Sequence, residues 1–218
     1  MKTNMKKIIS LFIASIAFSS SAVMADSSLT STDFFAEYPE HNIVQQTAKD
    51  KVQQLTNEQA KFLTSEDFPL GARAALINAM GFKYEGLDNA TRFLNYLQTG
   101  NVEGDPANPT SVTPEEQLAK ASADEIALYA YMLAMDNYFE VNTALSWALS
   151  AASEKPDSLT IQMITALIRS QIELDRNWCR AYTVVDNVRQ NKNLTQDMKR
   201  EAVEAIFKYI DGYKDECK

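Results

Sequence analysis

The stretch "SADEIALYAYMLAMDNYFEVNTALSWALSAASEKP", residues 122–156, decides the fold. Ser122 precedes Ala123-Asp124-Glu125, which places a hydroxyl at a helix N-cap and Glu at the third helical position, the reciprocal pair of a capping box. From Ala123 to Asp136 there is neither Gly nor Pro, and large apolar residues recur at helical spacing. A second helical pattern over 139–154 sets Ala144, Ala148 and Ala151 on one face, and Lys155-Pro156 ends it. Two helices joined by so few residues run antiparallel, and a face of alanine lets a neighbour come close.

The same pattern extends in both directions. The six glycines and six prolines fall mainly between long stretches rich in Ala, Leu, Gln, Glu and Lys, and no stretch alternates with period two before a hairpin turn. The reading is an all-α chain of antiparallel helical hairpins. Helices are predicted over 42–55, 57–65, 69–80, 89–99, 114–121, 123–136, 139–154, 157–174, 177–190 and 196–211. Thr113-Pro114-Glu115-Glu116 repeats the capping-box signature with Pro at the first helical position. Met163, Ile164, Leu167, Ile168 and Ile172 form one core stripe, and Val203, Ile206, Phe207 and Ile210 another.

The first 25 residues, "MKTNMKKIISLFIASIAFSSSAVMA", read as a secretory signal peptide: Lys2, Lys6 and Lys7, then an apolar run from Ile8 to Phe18, then small residues up to Ala25. That run is too short for a stable membrane anchor, and no cysteine follows the cleavage point to carry a lipid. The mature chain is expected to begin at Asp26 and reside in the periplasm, with secretion as the alternative, and without membrane insertion. Losing three lysines takes the formal charge from −8 to −11. So acidic a surface repels phosphate backbones and anionic headgroups, which argues against nucleic acid or a membrane surface as partner.

Within the mature chain, "GNVEGDPANPTSV" at 100–112 has two glycines, two prolines and no apolar periodicity. The organisation is then an N-terminal helical region (26–99), a linker or long surface loop (100–113) and a C-terminal helical region (114–218), read as one continuous array.

In an exported chain, Cys179 and Cys217 are expected to pair, a crosslink worth roughly 4 kcal/mol if it acts through unfolded-state loop entropy. Two buried thiols or a zinc site are the alternatives, the latter with a single histidine, His41, and no close cysteine pair to build on. If 177–190 and 196–211 form a straight antiparallel hairpin, the two cysteines miss each other by on the order of 15 Å at the helical rise. A left-handed cap at Gly212 is expected to fold the tail back toward Cys179.

No G-x-S-x-G, H-E-x-x-H, phosphate-binding glycine loop or C-x-x-C occurs. No catalytic, cofactor or metal site is assigned, and His41 in "YPEHN" reads as a surface or capping residue. Carboxylate chemistry needs only two acids facing across a cleft, for which Glu115, Glu116, Glu173 and Asp175 are candidates. Tyr129, Tyr131, Tyr138, Phe139, Trp147, Trp178 and Tyr182 crowd the C-terminal half. Most belong to the core, and one or two exposed rings are expected to mark a groove.

Residues 125–195 resemble tetratricopeptide repeats, hairpins of about 34 residues whose second helix carries small residues and a following proline. Ala144, Ala151 and Pro156 match that spacing, with Trp147 between them and Leu128, Tyr131 and Met135 on the preceding helix. Met132 departs from the small residue the pattern wants. A looser copy, "LDRNWCRAYTVVDNV", aligns Trp178, Ala181 and Val188, although Ala144 to Ala181 is 37 residues. Separately, "LTNEQ" (55–59) and "LTQDM" (194–198) resemble the paired LTxxQ motifs of Spy/CpxP periplasmic chaperones, with Met198 breaking the second; Leu-Thr-x-x-Gln is also what a capping box looks like.

The repeat resemblance implies a non-enzymatic periplasmic protein that binds a protein or peptide partner, a basic one given the charge. An immunity protein against a wall-targeting toxin, a carboxylate-dependent wall hydrolase and a Spy/CpxP-like chaperone are the alternatives.

Overall fold

A computed structural model describes residues 27–82, 87–105, 112–174 and 176–218, so the signal-peptide reading and Asp175 lie outside the described residues. Among these, the chain forms a 3-10 turn η1 (Phe34–Glu37) and then α1 (Asn42–Asp50), α2 (Asn57–Thr64), α3 (Leu70–Met80), α4 (Asn89–Thr99) and α5 (Pro114–Leu118). It continues with α6 (Ala123–Asp136), α7 (Asn142–Glu154), α8 (Leu159–Leu174), α9 (Trp178–Gln190), α10 (Arg200–Ile210) and a second 3-10 helix, η2 (Asp211–Cys217). The described residues hold no strand; one isolated bridge pairs Ser158 with Thr195.

Local chemistry sets the helix starts. Thr56 with Gln59, Thr113 with Glu116 and Ser122 with Glu125 each form a complete capping box. Tertiary contacts shift other ends inward from the predicted ones. Lys51 takes the left-handed conformation (φ 53°) and stops α1 at Asp50 instead of residue 55. The buried Asn89 then grips the extended chain beyond it, accepting from the Leu55 N–H (2.7 Å) and donating to the Gln53 carbonyl (2.8 Å).

The connection 191–199 also replaces the first turn predicted for the last helix. Asp197 caps α8 from this segment: its Oδ1 accepts from the Thr160 N–H (2.8 Å) and hydroxyl (2.9 Å), and its Oδ2 from Ser158 (2.5 Å). The Asp197 carbonyl accepts from the Gly71 N–H at 3.1 Å. A β-carbon at Gly71 would lie 2.5 Å from Tyr38 Oη and 2.8 Å from Met198 Cα, so only glycine admits this approach.

The two halves share one continuous apolar core. Ser27, fully buried, donates to Gln171 on α8. Tyr38 accepts from the Lys199 N–H at 3.1 Å. Arg73, buried on α3, reaches Asp124 at the start of α6 (2.5 Å), and Lys155 at the end of α7 meets the same carboxylate (2.9 Å). Within 100–113, Val102 is packed as well: it is buried, its N–H donates to Asn57 (2.8 Å), and its carbonyl accepts from Asn95 (3.1 Å).

Cys179 and Cys217 are bonded, with sulfurs 2.11 Å apart. The route differs from the expected one. Gly212 does not take the left-handed conformation; it lies inside η2, which continues α10 directly and packs on α9. α10 packs against η1 and starts only after the 191–199 connection has led the chain away to Ser158 and Gly71. That detour, not a cap, absorbs the length mismatch of a straight hairpin.

Candidate functional site

α6 with α7 and α8 with α9 are successive antiparallel hairpins, and α8 lies between α7 and α9. The predicted alanine face is buried: Ala144, Ala148 and Ala151 are each 0–1 % exposed. The close approach it permits is read from hydroxyls on α8 that reach backbone carbonyls of its neighbours. Ser170 donates to Ala181 on α9 (3.1 Å), and the Thr165 hydroxyl, which donates to Ile161 on its own helix (2.8 Å), also lies 3.2 Å from the Ala148 carbonyl on α7. Ala148 and Ala181 are thus the two points where α8 is clasped. Met132, where a repeat wants a small residue, is buried.

Above α8 the hairpins leave an open groove of about 310 Å³ walled by α7 and α9. Ala166 forms its floor, Leu149 and Ala152 one wall, Val184 and Val188 the other, and Leu194 closes one end. Leu149 is 47 % exposed, an apolar side chain in water at the groove's edge. Arg169 on α8, also exposed, supplies the lining with a guanidinium.

A larger, acidic groove of about 640 Å³ lies between η1 and α10, lined by Asp33, Glu37, Glu201, Glu204, Lys208 and Tyr209. No sequence pattern pointed to it, because its walls come from opposite ends of the chain. A third hollow of about 460 Å³ lies beside the disulfide, lined by Arg176, Asn177, Trp178, Cys179 and Glu216. Of the aromatic residues singled out from sequence, Tyr129, Tyr131, Tyr138 and Tyr182 are buried, Trp147 is half-buried, and Phe139 and Trp178 are exposed.

The candidate acids are engaged in the fold. Glu116 completes a capping box, Glu115 lies beside it in the first turn of α5, and Glu173 is buried against Arg180 on α9 (3.1 Å). Glu115 and Glu116 sit on α5, which packs on α4, whereas Glu173 sits on α8. His41 holds the N-cap position of α1 with its ring against Phe62 and Phe68 (5.8 and 5.6 Å) and 3.4 Å from Glu40. Both LT segments are built into the fold: Leu55 and Gln59 are buried, as is Met198.

Asp136, at the end of α6, is a carboxylic acid displaced well above its ordinary range. Burial raises its pKa to about 6, against hydrogen bonds from Ala90 and Asn89 that favour the anion. Its Oδ2 accepts from the Ala90 N–H (2.8 Å) in the first turn of α4, whereas Oδ1 is buried without a hydrogen-bond partner among the described residues. Burial likewise raises Tyr38 to about 12. Among the described residues no group of three or more His, Cys, Asp and Glu side chains could hold a metal ion, and no helix is long and apolar enough to cross a membrane. Compared with protein-family models, with curated proteins and with solved structures, the chain matches none of them.

Proposed function

We propose that this is a non-enzymatic periplasmic binding protein that takes a peptide segment of a partner protein in the α7–α8–α9 groove. The observation that carries the reading is the groove itself: two repeat-like hairpins packed in series leave an open trough in which Leu149, Ala152, Val184 and Val188 alternate with Gln162, Arg169, Asn187 and Asn191, and whose edge exposes Leu149. Helix pairs use such troughs to seat apolar anchors of a partner, and an arginine in the lining is a frequent binding hot spot. The formal charge of −11 for the mature chain favours a segment whose anchors are flanked by Lys or Arg, because long-range attraction speeds encounter.

Selection of peptides from a random library on the mature protein tests this. The expected ligands carry two or more apolar residues beside Lys or Arg. Leu149→Asp and Val188→Asp are each expected to weaken binding at least about tenfold, about 1.4 kcal/mol. Ligands that bind both variants as tightly as the parent protein would overturn the assignment.

A further inference from the structure

The bridge between Cys179 and Cys217 lies at the surface: Cys217 is exposed and Cys179 partly so. It fastens the seven-residue η2 to the first turn of α9. The strap's other anchors sit at its beginning. Asp211 pairs with Arg189 (2.9 Å), and the buried Tyr213 meets Trp178 and Tyr209 edge-on (5.3 and 5.4 Å). Lys214, Asp215 and Glu216 are exposed, and the ion pair of Asp215 is made with Lys218, within the tail itself. Runs of 3-10 helix beyond three or four residues are uncommon because their hydrogen bonds are poorly aligned. The last turn of η2 therefore depends on the bridge.

The two sulfurs differ in setting. Cys217 is at the exposed end of the chain. Cys179 is the second residue of α9, beside the positive end of that helix's dipole. An incoming thiolate meets Cys217 first, and negative charge left on Cys179 falls where the helix start favours it.

We infer that the Cys179–Cys217 bridge is a thiol–disulfide exchange site for a dithiol reductant, which attacks Cys217 and releases the last turn of the C-terminal strap from beside Trp178. One reductant thiolate bonds to Cys217 Sγ as the bond to Cys179 Sγ breaks, and Cys179 leaves as the thiolate. The reductant's second thiolate then attacks the reductant sulfur of the mixed disulfide and expels Cys217. Two electrons pass to the protein, the reductant ends as an internal disulfide, and both cysteines take up protons from solvent. Once open, the strap carries Glu216 out of the hollow it lines with Trp178, which is already 47 % exposed.

Two measurements on the oxidised protein test the inference. Brief treatment with glutathione in native buffer, then acid quench, alkylation and peptide mapping, is expected to place the adduct on Cys217; an adduct on Cys179, or no reaction without denaturant, overturns it. Hydrogen exchange after dithiothreitol is expected to show loss of protection at 214–218 with α1–α8 unchanged, and the Cys179→Ser/Cys217→Ser variant is expected to match the reduced protein. Protection lost throughout α8 and α10, or a variant whose tail stays as protected as in the oxidised protein, overturns the strap.

Discussion

Asp136 holds a carboxylate where one oxygen serves the N–H of Ala90 and the other has no hydrogen-bond partner among the described residues. Its pKa is raised from 3.8 to about 6, so between those values the folded protein binds a proton that the unfolded chain does not. The stability this group contributes is full below about pH 4 and is lost as pH rises through about 6, a change on the order of 3 kcal/mol. Asp136→Asn keeps an acceptor for Ala90 and removes the titration. Urea midpoints measured from pH 4 to 7.5 are expected to rise relative to the parent as pH increases; parallel profiles for the two proteins would refute the assignment. Nothing in the sequence marks Asp136, which reads as one more acid at a helix end, because its burial depends on α4 packing across it.

At the scale of elements, the helices were legible and their junctions were not. Capping boxes at Thr56, Thr113 and Ser122 and the stop at Pro156 are local signals, and the structure uses them. The connection 191–199 takes its shape from Ser158, Gly71 and Tyr38, partners up to 161 residues away, so no local pattern encodes it. Gly71 looks like an ordinary weak point at the start of a helix, yet it is the contact that lets Asp197 pass. Asp197→Ala removes the acceptor for Ser158 and Thr160 and leaves the Thr160 N–H at the start of α8 without its cap, at an expected cost of about 1–3 kcal/mol. Faster amide exchange at 158–162 and 195–201 is the accompanying sign, and an unchanged denaturation midpoint would contradict the role. The groove was half legible: the alanine face announced close packing of α7, whereas Val184 and Val188 become a wall only through the placement of α9.

For the whole molecule, the division at 100–113 marks a change of composition more than a change of body. Arg73 with Asp124, Gly71 with Asp197 and Ser27 with Gln171 all cross it, and the core runs through. Fragments 26–99 and 114–218 expressed separately are each expected to melt without cooperativity, while the chain 26–218 melts in a single transition by circular dichroism. Either fragment melting cooperatively on its own would instead make 100–113 a linker between separate domains.

The buried Ser27 adds a temporal consequence. Its partner, Gln171, is 144 residues further along the chain, and the surface it fits exists only once α8 is in place. Contacts so distant in sequence are costly to close and form late. The earliest described residues to be synthesised are therefore among the last to settle, and the chain stays open until nearly all of it is available.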